Sequence, residues 1–248
     1  MIVCIDSGNS RIKWGLFSDG RWLETVAVDH EKRAKMAELP QQLPIPERVM
    51  LANVAGPGAA AAIRQALAPW AALLVEVEST AAAGGVINLY DNPARLGVDR
   101  WCALIGARNI TSAPCVAVMA GTATTIDTLD GDGRFLGGLI LPGLDLMRRS
   151  LARDTAALPL AAGHYATHPR CTDDAIVSGC LEAQCGAIER ACARLAGDAQ
   201  CLLSGGAAGA IGEQLKVPHR QVENLVLEGL LRLARSASAA HAAGKDGG

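Results

Sequence analysis

The first residues of the chain alternate between apolar and polar positions in a way that predicts two strands joined by a tight turn. Residues 2–5 are all apolar, residues 6–10 read Asp-Ser-Gly-Asn-Ser, and apolar side chains then occupy every second position from 12 to 16. A continuous apolar run followed by a period of two is typical of a buried strand and a half-buried partner. Residues 21–28 can form a third antiparallel strand.

A similar pattern returns after Pro114. It predicts an apolar strand, a turn of small residues and two further strands, at 115–119, 120–124, 125–129 and 134–141. Each of the two three-stranded units has a glycine-centred, hydroxyl-bearing turn after its first strand. We therefore expect two related halves, 1–113 and 114–236.

The remaining periodic segments predict helices and a few short strands between these units. The helices are expected at 30–38, 58–67, 94–109, 144–157, 172–196, 208–215 and 224–236, and the strands at 49–52, 73–77 and 200–203. Residues 81–89 indicate a loop or weak strand. The tail 237–248 has no apolar pattern with which to pack, so we expect it to be mobile. The fold class is therefore α/β, with a mixed sheet and helices in each half.

Composition narrows the class of protein further. Half of the 248 residues are hydrophobic, and the formal net charge is −2. This charge gives no general electrostatic reason to expect a nucleic acid or an acidic membrane surface as partner. No apolar run is long enough to cross a bilayer, and no basic stretch precedes the first strand. We therefore expect a cytoplasmic protein.

The eight cysteines and five histidines indicate neither a disulfide framework nor a zinc site. The cysteines are scattered and none forms a C-x-x-C pair, while the histidines lack metal-ligand spacing. In a reducing compartment the thiols are expected to be mostly small buried side chains.

The first turn carries residue types suited to a phosphate chain with a bound metal. Asp6 ends a buried strand and is an expected ligand of Mg²⁺, directly or through water. Gly8 lets a ligand approach the backbone, while Ser10, Lys13 and the turn N–H groups can face phosphate oxygens. The alternative is an ordinary hairpin with a polar turn, which the stretch by itself equally allows.

A second candidate segment opens the helix expected at 94–109. Asn92 and Pro93 have the character of an N-cap and a first helical residue. Asp99 follows close to the helix start, where the dipole favours an acid, and Arg100 is its neighbour. Without further context, this pair is best interpreted as an exposed ion pair.

The commonest phosphate and hydrolase motifs are absent from the sequence. It contains no G-x-x-x-x-G-K-[ST] loop, no G-x-G-x-x-G after a strand, no G-x-S-x-G and no H-E-x-x-H. Two hairpin turns and a Gly205-Gly206 loop after a late strand remain. This combination resembles the actin-like ATPase and sugar kinase superfamily, whose two ribonuclease H-like domains hold ATP between two phosphate loops and an adenosine loop.

Four motifs in order resemble the type III pantothenate kinases, over Met1 to about Leu231. They are Asp6-x-Gly8-Asn9-Ser10-x-x-Lys13, Tyr90-x-Asn92-Pro93-x-x-Leu96-Gly97-x-Asp99-Arg100-Trp101, Gly121-Thr122-x-x-Thr125-x-Asp127 and Gly137-Gly138-x-Ile140-x-Pro142-Gly143. Each motif alone is weak. The resemblance implies phosphorylation of pantothenate by ATP, the first step of coenzyme A biosynthesis.

The resemblance also implies roles for individual residues. The residues expected to bind ATP are Asp6, Ser7, Gly8, Asn9, Ser10, Arg11, Ile12, Lys13, Thr122, Gly205 and Gly206. Those expected to bind pantothenate are Tyr90, Gly97, Val98, Asp99, Arg100 and Thr172, the last across a homodimer interface. Asp99 becomes the base that accepts the proton of the primary hydroxyl, which reverses the ion-pair interpretation. Arg100 could orient Asp99, the substrate carboxylate or a phosphate oxygen.

The family resemblance implies Mg²⁺ with ATP and a monovalent cation, K⁺ or NH₄⁺. Many members carry an aspartate two residues before the glycine of the second turn, where Met119 stands here. A thioether is a poor ligand for these cations, so we expect weaker dependence on them unless a carbonyl or Asp127 takes over. The alternatives are another small-molecule kinase of this fold and a regulatory protein without catalysis, and a retained Asp99 favours catalysis.

Overall fold

The computed structural model describes residues 1–195 and 197–243. The chain divides into two compact units, which we call unit 1 (Met1–Ile110 with Leu225–Gly248) and unit 2 (Thr111–Asn224). Each unit contains one sheet with helices against it.

The sheet of unit 1 has five strands in the order β3-β2-β1-β4-β5. They are β1 (Ile2–Ser7), β2 (Arg11–Ser18), β3 (Arg21–Asp29), β4 (Arg48–Asn53) and β5 (Leu74–Glu76). The first three are antiparallel, as predicted, whereas β4 and β5 run parallel to β1. The carboxyl ends of β1, β4 and β5 therefore meet at one edge.

The other elements of unit 1 up to Ile110 are short, apart from the helix α3. They are the hairpin β6 (Ala82–Ala83) and β7 (Val86–Asn88), the helices α1 (Leu39–Gln42), α2 (Pro57–Ala66) and α3 (Val98–Ile110), and 3₁₀ helices at His30–Glu38, Ala68–Leu73 and Pro93–Arg95. A core that includes Val3, Ile5, Ile63 and Trp70 lies on one face of the sheet. Burial of these side chains removes apolar surface from water, which stabilises the packing of the helices against that face of the sheet.

Unit 2 repeats the plan of unit 1. Its strands are β8 (Cys115–Ala120), β9 (Ala123–Leu129), β10 (Arg134–Pro142), β11 (Gln200–Ser204) and β12 (His219–Gln221), and its helices are α4 (Leu144–Asp154), α5 (Thr172–Cys192) and α6 (Ala208–Gly212). The order β12-β11-β8-β9-β10 mirrors that of unit 1, with β8 to β10 antiparallel and β11 and β12 parallel to β8. This repetition confirms the predicted fold class of two related α/β domains.

The last helix, α7 (Leu225–Ala243), belongs to unit 1 rather than to the second half. It packs closely against α3, and two glycines permit this approach. A Cβ on Gly229 would overlap the carbonyl of Cys102, and a Cβ on Gly106 would overlap the carbonyl of Leu225. The sequence analysis placed this helix in the second half, 114–236, whereas the structure places it in unit 1. Sequence order alone cannot show that a terminal helix returns to the first sheet. The helix continues past Ser236 into the predicted tail, whose positions 244–248 lie outside the described residues.

Several helix ends differ from the predicted ones. The predicted helix 94–109 is a 3₁₀ turn followed by α3, because Leu96 adopts an extended conformation between them. The predicted helices 144–157 and 172–196 end earlier, at Asp154 and Cys192. Within the described part of the chain, no helix is both long and apolar enough to span a membrane.

Candidate active site

The turn between β1 and β2 is held by backbone and side-chain hydrogen bonds within unit 1. The Gly8 N–H donates to the Arg11 carbonyl at 3.0 Å, and His30 Nε2 lies 2.7 Å from the Gly8 carbonyl. The Ser7 hydroxyl is fully buried and has no hydrogen-bond partner among the described residues. A buried hydroxyl without a hydrogen bond destabilises the folded state, so a polar ligand that bonds to Ser7 would stabilise this turn.

Asp6 lies in an electrostatically unusual position at the end of β1. Burial raises the pKa of its carboxyl from 3.8 to about 7, against the lowering effect of Lys13 and with a further rise from Asp99. Lys13 faces Asp6 in the strand register. Two carboxylates, Asp6 and Asp99, are thus near enough to affect each other, and both would be stabilised by an added cation.

Two buried thiols lie in the same region. Burial raises the pKa of Cys102 on α3, and Asp6, Asp99 and Cys4 raise it further. Burial, followed by Glu228, likewise raises the pKa of Cys4 on β1. Both thiols therefore remain neutral and add no further negative charge beside the carboxylates.

Asp99 is fixed in the first turn of α3 by its neighbours. Its Oδ1 accepts a hydrogen bond from the Arg100 backbone N–H at 2.8 Å, so its second oxygen, Oδ2, can accept another proton. A Cβ on Gly97 would lie 2.7 Å from Oδ1. Glycine is therefore required at position 97 for the observed carboxylate position.

The Arg100 guanidinium contacts Tyr90 in the same unit. Its Nη1 donates to the Tyr90 hydroxyl at 2.9 Å, and its Cζ lies 5.7 Å from the ring centroid. Arg100 is only 6% exposed. The Arg100 backbone thus holds Asp99, and its side chain joins α3 to the Tyr90 loop. Which of the three predicted partners its guanidinium orients stays a prediction.

Asn88 organises the Tyr90 loop, although no sequence motif singled it out. Its side-chain amide donates to the carbonyls of Thr80 and Pro93 at 3.3 and 3.2 Å, and its Oδ1 accepts from the Tyr90 N–H. Asn88 is 5% exposed. Three backbone segments thus depend on one buried amide.

A cavity of about 600 Å³ opens beside the start of α3. Its walls are the carboxyl ends of β4 and β5, the residues that follow these strands, and the segment that leads into α3. They comprise Leu51, Asn53, Val54, Glu76, Val77, Glu78, Ser79, Ala94, Arg95, Leu96, Gly97 and Val98. The buried Ser79 hydroxyl has no partner among the described residues. Sequence reasoning missed Asn53, Val54 and Ser79, yet their position at or just after the carboxyl ends of parallel strands was an available signal.

The other residues of the first turn differ in what they can offer a ligand. Asn9 and Ser10 are exposed, and Lys13 is half-buried. Arg11 is exposed and its Nε lies 3.2 Å from Asp29. The Ile12 side chain is fully buried in the core, so only its backbone is available to ATP.

The second turn has a comparable construction in unit 2. Thr122 is exposed, and its carbonyl accepts from the Gly143 N–H at 2.9 Å. A Cβ on Gly143 would overlap the Gly121 carbonyl, so glycine lets the start of α4 approach the turn. Asp127 is buried at 1% exposure on β9, and Met119 is half-buried on β8.

The loop after β11 packs against the same turn. Gly205 has a φ of 105°, and a Cβ there would overlap the Ala120 carbonyl, which also accepts from the Ala207 N–H at 3.1 Å. Only glycine fits this left-handed position without strain. Gly206 is exposed, with open space at its Cα.

Thr172 is the first residue of α5 and is exposed. It lines a largely apolar groove of about 590 Å³ with Met147, Leu151, Leu158 and Ile176. The groove lies between α4 and α5, within unit 2. Thr172 is thus on an accessible apolar surface of that unit.

Comparison with known proteins identifies the family. The sequence profile described as type III pantothenate kinase matches residues 2–194. A Dechloromonas aromatica protein named type III pantothenate kinase is 58% identical over 235 residues, covering 94% of this chain and 99% of that protein.

Two solved structures are similar in fold alone. A conserved Campylobacter jejuni protein assigned to the Baf family of transcriptional activators has a TM-score of 0.65 at 17% identity, covering 96% and 99% of the two chains. The activator of a 2-hydroxyisocaproyl-CoA dehydratase from Clostridium difficile, solved with ADPNP, has a TM-score of 0.51 at 12% identity, covering 99% and 97%. Fold and sequence agree, and the chain belongs to the type III pantothenate kinase family.

Proposed function

We propose that this protein transfers the γ-phosphoryl group of ATP to pantothenate, giving 4'-phosphopantothenate in the first step of coenzyme A biosynthesis. Family membership supplies the reaction and the substrates. The observation that carries the proposal is the position of Asp99, close enough to Asp6 to raise the pKa of its carboxyl. A base beside a metal-binding carboxylate is the arrangement that phosphoryl transfer to an alcohol requires.

Asp99 acts as the base in this proposal. With Oδ1 held by the Arg100 N–H, Oδ2 accepts the proton of the primary hydroxyl as the hydroxyl oxygen attacks phosphorus. Tyr90, Gly97, Val98 and Arg100 bind pantothenate, and the cavity beside Gly97 accommodates part of it. The fixed charge of Arg100 suits an anionic substrate.

The residues of the first turn fit a magnesium-nucleotide complex. Asp6 offers an oxygen ligand whose charge is disfavoured by burial, and the Ser7 hydroxyl lacks a partner among the described residues. Mg²⁺ prefers one or two carboxylates together with phosphate oxygens and water, and when bound it neutralises charge on the phosphates. Ser10, Lys13 and the N–H groups of the turn other than that of Gly8 would hold phosphate oxygens. Thr122, Gly205 and Gly206 also bind ATP by the family resemblance.

A homodimer completes the pantothenate site in this proposal, with Thr172 reaching the partner's substrate. The apolar groove beside Thr172 and the exposed Leu160, at 61%, support an interface on this surface. We expect sedimentation velocity to show a dimer and Leu160→Glu to weaken it. A fully active monomer would contradict the dimer requirement.

Dependence on a monovalent cation is proposed to be weaker than in relatives with an aspartate at the Met119 position. The Met119 side chain brings no negative charge to that place.

We also expect the enzyme to act in the cytoplasm, where its substrates are used.

An ATP-consumption assay against a panel of small hydroxy acids tests the activity. Pantothenate should support turnover, whereas compounds that lack its primary hydroxyl should not. Consumption with a different hydroxy acid but not with pantothenate would indicate another small-molecule kinase of this fold. No consumption with any acceptor, from protein that binds ATP, would favour a regulatory role.

A further inference from the structure

We propose that Asn88 is a positioning residue for pantothenate, a role that rests on the function proposed above. Its side-chain amide holds the cavity beside Gly97 in the shape that binds this substrate. Asn88 is the last residue of β7, is 5% exposed and lies in unit 1 together with the cavity. A change confined to this amide should therefore raise the KM for pantothenate and leave the KM for ATP unchanged.

The cavity is lined in part by two stretches that receive little support from regular secondary structure. Residues 77–79 follow β5, and residues 94–98 lead into α3. Residues 77–81 and 89–92, which adjoin these stretches or form part of them, belong to no helix or strand. Backbone groups outside a helix or sheet need other hydrogen-bond partners, so side chains contribute strongly to the position of this region.

Asn88 supplies such hydrogen bonds to both stretches. Its Nδ2 donates to the carbonyl of Thr80 at 3.3 Å, and Thr80 directly follows the lining residue Ser79. The same Nδ2 donates to the carbonyl of Pro93 at 3.2 Å, and Pro93 directly precedes the lining residue Ala94. Both N–H groups of the amide are thus used. One planar group therefore ties the two cavity-lining stretches to each other.

The oxygen of the same amide holds the Tyr90 loop. Asn88 Oδ1 accepts from the Tyr90 backbone N–H at 3.1 Å, and the Tyr90 hydroxyl accepts from Arg100 at 2.9 Å. The Asn88 backbone N–H donates to the Ala81 carbonyl at 2.8 Å, which fixes the residue itself. The reversed orientation of the amide would place its oxygen against two carbonyls, so only one orientation satisfies every partner.

The position of the base does not depend on Asn88. The bond that holds Asp99 comes from the Arg100 backbone N–H, within the first turn of α3. The bonds of Asn88 described above end at residues 80, 81, 90 and 93, all outside the Asp6 turn. Loss of the amide should therefore weaken pantothenate binding more than it slows the chemical step, and should spare ATP binding.

Asn88→Asp is the most selective variant. It keeps the shape of the side chain but, when ionised, has no N–H or O–H to donate, so the carbonyls of Thr80 and Pro93 lose their partner. Asn109→Asp is the matched control. Asn109 is exposed at the end of α3, and its Oδ1 accepts from Arg232 at 2.7 Å, a bond that a carboxylate retains.

Steady-state kinetics of the full-length protein, with each substrate varied while the other is saturating, measure the effect. We expect Asn88→Asp to raise the KM for pantothenate by about tenfold or more, because two hydrogen bonds that hold the cavity are lost. Its kcat should change less than its KM, and its KM for ATP should stay within about twofold of the wild type. Asn109→Asp should match the wild type in both KM values.

A purely structural role for Asn88 predicts a different result. Partial unfolding lowers the active fraction, which lowers the apparent kcat and leaves both KM values unchanged. Circular dichroism and ATP binding show whether each variant is folded. If Asn88→Asp does not fold, Asn88→Ser carries the test, because it adds no charge and keeps at most one donor.

The outcomes separate this role from the proposed function. A wild type that does not phosphorylate pantothenate would overturn the proposed function, and the role of Asn88 with it. An active wild type together with a folded Asn88 variant whose KM for pantothenate is unchanged, or rises no more than its KM for ATP, would overturn the role of Asn88 alone.

Discussion

Replacing Asp6 with asparagine should stabilise the protein when nucleotide and metal are absent. Asparagine keeps the shape of the side chain but carries no charge at the position where burial raises the carboxyl pKa from 3.8 to about 7. A difference of one in pKa corresponds to about 1.36 kcal/mol, so full ionisation of Asp6 costs the folded state at most about 4 kcal/mol. Because the Asp6 side chain is half-buried and keeps some contact with water, we expect Asp6→Asn to raise the free energy of unfolding by about 2 to 4 kcal/mol.

The sign of this effect determines how stability changes with pH. A folded-state pKa above the unfolded value means that the unfolded chain loses this proton first as the pH rises. The Asp6 contribution to the free energy of unfolding therefore falls between about pH 4 and pH 7 and stays low above that range. The asparagine variant lacks this contribution.

Urea denaturation from pH 5 to pH 8, in the presence of a chelator, measures the difference. The stability advantage of Asp6→Asn over the wild type should grow by about 2 kcal/mol across this range. Asp91→Asn, the same chemical change at an exposed position, should show no such growth. With Mg²⁺ and ATP added, the wild type should gain stability and the Asp6 variant should gain much less. A variant equally or less stable than the wild type at every pH would refute this account of Asp6.

Four further variants test other parts of the structure. Gly97→Ala should lower kcat by roughly tenfold or more with little loss of stability, because the new Cβ displaces the Asp99 carboxylate; unchanged kcat would show that this carboxylate position is unimportant. Gly229→Ala should destabilise unit 1 by several kcal/mol through backbone overlap with α3, whereas Gly186→Ala, with open space at its Cα, should stabilise by about 0.5 to 1 kcal/mol in thermal unfolding. Met119→Asp should make activity depend more steeply on K⁺ than the wild type does, with choline replacing K⁺ at constant ionic strength; identical K⁺ curves would contradict the proposed role of this position.

The strands and turns of the site were predictable because their signals are local. The period-two pattern around the Asp6 turn and its return near Thr122 give two three-stranded units without any long-range information. The identity of the substrate required the family resemblance, because the residue types of the turn suit any metal-bound phosphate chain.

The remaining features depend on long-range packing. The contact between α7 and α3 joins segments far apart in sequence, and nothing in the local pattern of α7 indicates which sheet covers it. Asn88 and Ser79 are polar residues in a weakly patterned stretch, and their importance follows only from burial and from the bonds they make or lack. The raised pKa of Asp6 likewise arises from burial and from Asp99, which lies on a helix far along the chain.

Direct detection of 4'-phosphopantothenate in parallel reactions of the wild type and Asp99→Asn tests the central claim. The asparagine keeps the shape of the side chain but cannot accept the substrate proton, so we predict a loss of roughly 10²-fold or more in product formation. ATP affinity, measured by calorimetry, should remain close to that of the wild type. No phosphopantothenate from the wild type, or near-normal product formation by Asp99→Asn, would contradict the account.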